Sequence, residues 1–153
     1  MKNKKFNQTQ SLQKISKHLS VLYVEDDKDL SNRIKRFLIK IFKNVDIAID
    51  GQDGLNLYKK KYEETKKYYD IVISDIYMPN LNGIDMSRDI LDINKDQKIV
   101  IISAYEEKKY LLDIISLGID TFIQKPFDVQ QLIGTLYKVC MAFSLIIYNI
   151  LKH

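Results

Sequence analysis

The sequence is poor in the residues on which several classes of protein depend. Its 153 residues include one cysteine (Cys140), two prolines, five glycines and no tryptophan. A single cysteine excludes an internal disulfide framework and a cysteine zinc site, and it is compatible with a reducing compartment. The composition, 46% hydrophobic and 29% charged, also excludes a collagen-like chain and a disordered polyelectrolyte. We therefore expect a globular chain with one principal domain.

A secretory signal is also missing, because residues 1–19 are polar and lysine-rich and contain no apolar run. We predict a cytoplasmic protein whose residues 1–19 form an unpacked or loosely helical basic leader. A basic arm that contacts an anionic partner is the alternative.

The formal net charge of +4 invites a nucleic-acid interpretation, but the charge is unevenly distributed. Residues 1–20 hold five lysines and no acid, and residues 129–153 hold two lysines and no acid. The stretch between them holds 17 basic and 20 acidic residues. The basic character belongs to the two ends, so we predict no direct nucleic-acid binding by the central domain.

Short apolar runs alternate with helical patterns five times along the central stretch. The runs lie at residues 21–24, 45–49, 71–73, 99–102 and 121–124. Asp128 and Gln131 match a capping box for the last helix, and Gly118 is suited to end the helix before it. Apolar strands that alternate with helices predict an α/β fold, a doubly wound five-stranded parallel sheet.

Ligands of such folds bind beyond the carboxyl ends of the strands. Glu25 and Asp26 follow the first strand, Asp75 the third, Ser103 the fourth and Lys125 the fifth. Crowded carboxylates repel one another unless a cation joins them, and oxygen ligands of this kind suit Mg²⁺. A metal, a hydroxyl and a lysine around an aspartate form a phosphoryl-binding arrangement, in which Asp75 can become an acyl phosphate.

The chain resembles the receiver domains of bacterial response regulators, the CheY-like phosphoacceptor domains of two-component signalling. The matching segments are residues 21–27 (VLYVEDD), 70–83 (DIVISDIYMPNLNG), 99–104 (IVIISA) and 121–127 (TFIQKPF). The resemblance predicts a receiver domain over residues 20–138, and it implies the flavodoxin-like (βα)5 fold with strand order 2-1-3-4-5.

The resemblance implies a role for each polar residue at the strand ends. Asp75 corresponds to the phosphoacceptor. Asp26, Asp75 and the backbone carbonyl of Tyr77 correspond to Mg²⁺ ligands, and Glu25 acts on the metal through water. Ser103 and Lys125 correspond to the residues that bind phosphoryl oxygens.

The resemblance also implies a conformational switch. Ser103 moves toward the phosphoryl group and Phe122 rotates into the space behind it, which reshapes the face that the family calls α4-β5-α5. The Lys125-Pro126 bond is expected to be cis, as in the family. Tyr77 and Tyr105 occupy positions that govern access of water, and two tyrosines there predict slow self-dephosphorylation.

The phosphoryl donor implied by the family is a phosphohistidine of a sensor histidine kinase. His18 and His153 lack a kinase context, so the chain is predicted to be a recipient, a signalling switch and not an enzyme. An aspartyl phosphatase would need a second acid at position 77, which is tyrosine. A cofactor carrier would need an anion-binding loop where residues 25–27 are acidic. A receiver-like scaffold that acts without phosphorylation is the remaining alternative.

The last 15 residues, 139–153, are predicted to be an apolar extension of the last helix. Residues 139–151 (VCMAFSLIIYNIL) carry no charge, yet thirteen residues are too few to span a bilayer. A 3-4-3-4 seam runs through them: Leu136, Val139, Phe143, Ile146 and Ile150. We expect this seam to pair with a partner chain. The candidate pairing is a homodimer through this helix or through the α4-β5-α5 face. A linker to a further domain and contact with a membrane are the alternatives, and Cys140 is expected to be a small buried hydrophobe.

Overall fold

The computed structural model describes residues 2–104 and 109–153, with side chains from residue 8 onward. Six helices and five strands are assigned in these ranges. They are α1 (Lys2–Ser16), β1 (Ser20–Val24), α2 (Lys28–Leu38), β2 (Asn44–Ala48), α3 (Gly51–Thr65), β3 (Ile71–Asp75), α4 (Gly83–Ile93), β4 (Lys98–Ser103), α5 (Leu111–Ser116), β5 (Thr121–Gln124) and α6 (Val129–Lys152). Because α1 precedes the first strand, the face that the family calls α4-β5-α5 is formed here by α5, β5 and α6.

All neighbouring strands are parallel, and their order is β2-β1-β3-β4-β5. The predicted doubly wound α/β fold, its strand order and its long C-terminal helix are confirmed. Successive residues of each strand point to opposite faces of the sheet, so both faces are apolar and covered by helices.

Two clusters of buried side chains fill the space on the two faces of the sheet. Val21 and Tyr23 of β1 belong to one cluster, with residues of α1, α2 and α6. Leu22 and Val24 belong to the other, with residues of α3, α4 and α5. The single thiol, Cys140, is fully buried in the first cluster, and burial raises its pKa to about 12.

Local signals begin and end the helices, and two of them, the capping box of α6 and Gly118, were predicted from the sequence. Asp128 and Gln131 form the reciprocal hydrogen bonds of a capping box at the start of α6. Gly118 takes a φ of 81° just after α5, in the left-handed region that favours glycine. At the start of α2, the carboxylate of Asp27 accepts hydrogen bonds from the amides of Asp29 and Leu30.

The basic leader differs from the expectation of an unpacked or loosely helical segment. It forms the regular helix α1, in which Leu12 and Ser16 are fully buried and Ile15 packs against the same core cluster. The Ser16 hydroxyl donates to the carbonyl of Ile41 at 3.0 Å. These residues recur at three- and four-residue steps, so one face of an otherwise polar helix can pack on the domain.

Helix α6 divides into a packed half and an exposed half. Its first half contributes five core residues: Leu132, Ile133, Leu136, Val139 and Cys140. Its last turns are exposed, and Ile150 and Leu151 are 68% and 81% accessible. With 24 residues, α6 is longer than its uncharged stretch suggested, and by length and composition alone it could cross a membrane. That is weak evidence for a span, because the packed half lies against the sheet.

The predicted seam on α6 is therefore shared between two environments. Leu136 and Val139 are core residues, Phe143 packs at the edge of the core, and Ile146 and Ile150 are exposed. Only the second part of the seam is available to another molecule.

Because α1 packs on the core of the domain, it should contribute measurably to the free energy of unfolding. Replacing the buried Leu12 by alanine removes apolar contacts and leaves a cavity, so Leu12→Ala should lower the free energy of unfolding by about 2–5 kcal/mol. Gln13→Ala, at an exposed position on the same helix, is the matched control and should change it by under about 0.5 kcal/mol. Urea denaturation followed by circular dichroism measures both. Equal stabilities of the two variants would contradict the packed position of α1.

Candidate functional site

The register of the sheet brings the polar residues at the strand ends into one row. Val24 of β1 pairs with Ser74 of β3, so Glu25 and Asp75 follow at the same level. Asp75 in turn pairs with Ile102 of β4, one residue before Ser103. Ser103 pairs with Gln124 of β5, one residue before Lys125. The backbone amide of Lys125 also donates to the Ser103 carbonyl at 2.8 Å, which holds the ends of β4 and β5 together.

The ammonium group of Lys125 lies between two buried carboxylates. Its Nζ is 2.9 Å from Oδ2 of Asp75 and 3.4 Å from Oε2 of Glu25. Burial by itself would lower the pKa of Lys125, but the hydrogen bond to Asp75 and the charges of Asp75 and Glu25 raise it. Lys125 is therefore held charged beside the predicted phosphoacceptor.

One ammonium does not compensate the acids of this site fully. Carboxylate oxygens of Glu25, Asp26 and Asp75 lie within 4.8 Å of one another. Burial, and then the charge of Asp75, raise the pKa of Glu25 to about 7, although the Asp27 amide and Lys125 act in the other direction. Two buried oxygen ligands and one exposed one are a donor set that fits a hard divalent cation such as Mg²⁺.

The backbone around Asp75 is held by several short contacts. Oδ1 of Asp75 accepts from the amide of Ile76 at 2.8 Å, and the Ser74 hydroxyl donates to the Asp75 carbonyl at 2.7 Å. The amide of Gly83 donates to the carbonyl of Ile76 at 2.8 Å. A Cβ atom at Gly83 would overlap the Asp75 carbonyl oxygen, so this position requires glycine.

A second link supports the loop between β3 and α4, and the sequence did not predict it. The Asn80 side chain donates to Oδ2 of Asp50 at 2.7 Å, and the Gly51 amide donates to the Leu81 carbonyl at 3.1 Å. Asn80 has a φ of 68°, a conformation that asparagine adopts more readily than most residues.

The two residues predicted to switch, Ser103 and Phe122, lie on β4 and β5. Ser103 is partly exposed at the end of β4. Phe122 is partly buried in β5 and packs against the core cluster that contains Ile101, its register partner, and Ile114 of α5. The predicted cis bond between Lys125 and Pro126 is present.

Of the two tyrosines predicted to govern access of water, the structure describes Tyr77. The ring of Tyr77 is 47% exposed and contacts Tyr110 edge-on, with centroids 5.5 Å apart. The Lys109 ammonium lies 5.8 Å from the Tyr77 ring and 5.0 Å from the Tyr110 ring. Tyr105 lies outside the described residues. Tyr110, which the sequence did not single out, thus lies beside Tyr77.

Comparison with known proteins gives consistent results. A family described as "Response regulator receiver domain" matches residues 21–137. Response regulator ArlR of Staphylococcus aureus is 32% identical over 114 residues, which are 74% of this chain and 49% of that protein. The chain thus spans about half the length of the curated relatives it matches.

Solved structures resemble the fold over most of its length. A chain of the CheX–CheY–BeF3–Mg complex from Borrelia burgdorferi aligns with a TM-score of 0.69 and 30% identity, covering 79% of this chain and 88% of that one. The N-terminal domain of an uncharacterised protein from Wolinella succinogenes aligns with a TM-score of 0.71 and 31% identity, covering 83% and 97%.

Substitution of Gly83 tests the close packing against Asp75, and substitution of Gly134 in α6 is the control. Gly83→Ala forces the Asp75 backbone to shift and should lower the free energy of unfolding by more than about 1 kcal/mol. Gly134 lies inside α6, where a Cβ meets no atom within 4 Å, so Gly134→Ala should raise stability by up to about 1 kcal/mol. Chemical denaturation measures both. Opposite signs are expected, and a neutral Gly83→Ala would contradict the close approach.

Proposed function

Because the chain belongs to the family of response regulator receiver domains, we propose that it is a phosphoacceptor switch in two-component signalling. Asp75 is the phosphoacceptor. The observation that carries the proposal is the placement of Asp75 at a strand end, 2.9 Å from Lys125 and within 4.8 Å of the carboxylates of Glu25 and Asp26. A buried carboxylate that faces both a fixed cation and a cation-binding donor set is suited to accept a phosphoryl group.

The proposed donor is a phosphohistidine of a sensor histidine kinase. A carboxylate oxygen of Asp75 attacks phosphorus, an oxygen–phosphorus bond forms, and the nitrogen–phosphorus bond to the donor histidine breaks. Lys125 and the Ser103 hydroxyl provide a positive charge and a hydrogen-bond donor for the phosphoryl oxygens. These groups lower the barrier by stabilising charge on the transferring group.

Asp26, Asp75 and the backbone carbonyl of Tyr77 would hold Mg²⁺, with Glu25 acting through water. The metal would neutralise phosphoryl oxygens when bound. Within the chain, the Lys125 ammonium contacts both Asp75 and Glu25, and the Ile76 amide donates to Oδ1 of Asp75 and orients its carboxylate.

Transfer would be followed by a population shift on the face of α5, β5 and α6. A phosphoryl group adds nearly two negative charges and strong acceptors at Asp75, which favours movement of Ser103 toward it. Phe122 then gains space behind β4 and rotates inward. Homodimerisation through this face is the partner interaction that we propose, and a cytoplasmic location is proposed with it.

The complete set of polar residues favours this function over a scaffold that is never phosphorylated. A scaffold has no use for a partly buried lysine paired with two buried acids, since such a cluster of charges is costly to desolvate. The match to the receiver-domain family favours a switch over an enzyme with its own substrate.

Phosphorylation of the purified chain tests the proposal directly. Incubation with acetyl phosphate and Mg²⁺ should add one phosphoryl group, detected by intact mass, and a chelator should abolish the addition. Asp75→Asn should remain unmodified, whereas Asp92→Asn, an exposed acid on α4, should behave as the wild type. An unmodified wild type, or modification that survives in Asp75→Asn, contradicts the proposal.

The lifetime of the acyl phosphate tests the access residues. If Tyr77 and Tyr105 shield phosphorus from water, Tyr77→Ala/Tyr105→Ala should shorten the phosphoryl lifetime several-fold. Tyr62→Ala, a partly exposed tyrosine on α3, is the matched control and should leave the lifetime unchanged. Equal lifetimes in all three proteins would show that the two rings do not control hydrolysis.

A further inference from the structure

The amino-terminal edge of the sheet, opposite the acidic site, carries a cavity with a basic lining. Ser20, Asn44 and Lys98, the first residues of β1, β2 and β4, all line it, which places it at this edge. The cavity measures about 610 Å³. Its basic lining residues are His18, Lys43, Lys61, Lys67 and Lys98.

Acidic residues at this edge are fewer, and some are already bonded within the protein. Asp70 and Asp96 line the cavity. Asp70 accepts hydrogen bonds from the backbone amide and the hydroxyl of Ser20. Lys98 is paired with Asp120 at 2.7 Å, but Lys43 and Lys67 are exposed. The edge therefore presents positive charge to solvent.

The exposed half of α6 projects from this same edge. The helix begins just after β5 at the opposite edge and runs back across the sheet, and Phe143 lines the basic cavity. Residues 144–152, which we call the α6 tip, follow Phe143. Six apolar or aromatic residues of the tip are more than half exposed: Leu145, Ile146, Ile147, Tyr148, Ile150 and Leu151.

These side chains surround the helix and do not form a narrow stripe. Consecutive helical residues are about 100° apart, so six apolar residues among seven positions cover every direction around the axis. A helix that pairs with one partner helix needs a single seam, whereas a helix that is apolar all round suits an apolar surrounding. Residues 129–153 also contain no acid.

Charge argues against a second copy of this chain as the occupant. If two tips paired in parallel, the basic edges around Lys43 and Lys67 would lie side by side. If they paired in antiparallel, Lys152 of each tip would approach the basic edge of the other copy. Both arrangements bring like charges together, which disfavours the pair.

We propose that the α6 tip and the basic edge around it bind the surface of a membrane that contains anionic phospholipids. The apolar tip enters the boundary between headgroups and acyl chains, and the lysines of the edge face the lipid phosphates. The ligand class is an anionic phospholipid surface, and the interaction is peripheral.

The dimensions of the tip fit shallow insertion. Nine helical residues are about 13 Å long, less than half of a bilayer core. Lys152 lies 5.7 Å from the Tyr148 ring, and residues of these two types prefer the membrane–water interface. The tip therefore suits the headgroup boundary and leaves the sheet outside the bilayer.

This inference does not rest on the proposed phosphorylation. Asp75 lies at the opposite edge of the sheet, so Asp75→Asn should bind vesicles as the wild type does. Failure of vesicle binding and failure of phosphoryl transfer would thus be separate results.

Vesicle co-sedimentation of the full 153-residue chain provides the test. The wild type should sediment with vesicles of phosphatidylcholine and phosphatidylglycerol, but not with phosphatidylcholine alone, and added salt should weaken binding. Ile147→Asn/Ile150→Asn should reduce the partition coefficient at least about tenfold. Leu112→Asn/Ile115→Asn, on exposed positions of α5, is the matched control and should bind normally.

A charge reversal separates the basic edge from the apolar tip. Lys43→Glu/Lys67→Glu should weaken binding and flatten its salt dependence, whereas Lys28→Glu/Arg33→Glu, at exposed positions in the first two turns of α2, should not. No binding to anionic vesicles, or equal binding to neutral ones, overturns the proposal. A dimer in solution that Ile147→Asn/Ile150→Asn converts to monomer would overturn it too, and would assign the tip to a second copy.

Discussion

The contact of Lys125 with Asp75 and Glu25 is the constraint on which the rest of the site depends. Two carboxylates that are almost fully buried repel each other unless a nearby cation offsets their charge. Lys125 supplies that cation from another strand, so β1, β3 and β5 must end at the same level. Loss of the lysine would leave two buried charges uncompensated, which costs far more than an exposed ion pair contributes.

The helices reinforce this arrangement through their direction. In a parallel α/β domain each helix runs opposite to the strands, so the amino-terminal ends of α2, α4 and α6 lie on the side of Asp75. Asp27, Asn82 and Asp128 cap these three helices. The partial positive charge at helix amino termini favours anions at this edge. Added negative charge at Asp75 would therefore meet helix dipoles of the favourable sign in addition to Lys125.

The sequence predicts those features that local chemistry determines. Apolar runs mark the five strands, and the parallel register places the residues that follow them in one row, so Glu25, Asp75 and Lys125 could be grouped in advance. The Asp50–Asn80 bond joins residues of different elements, and neither residue carries a local signal for the other. The packing of α1 was not predicted, because Leu12 and Ile15 are scattered among polar residues and only the surface that they meet shows that they form a face.

The two edges of the sheet differ in charge for reasons that are only partly shared. Lysines near the carboxyl-terminal ends of helices, such as Lys66 and Lys67 after α3, complement the helix dipoles, and that explains some of the basic edge. It does not explain Lys98, which begins β4, or an apolar tip projecting from the same edge. Dipole complementarity needs single charges at single helix ends, whereas a binding surface needs charge and apolar area together. At this edge the positive charge and the exposed apolar area both lie around Phe143, where the core of the domain ends and the exposed half of α6 begins.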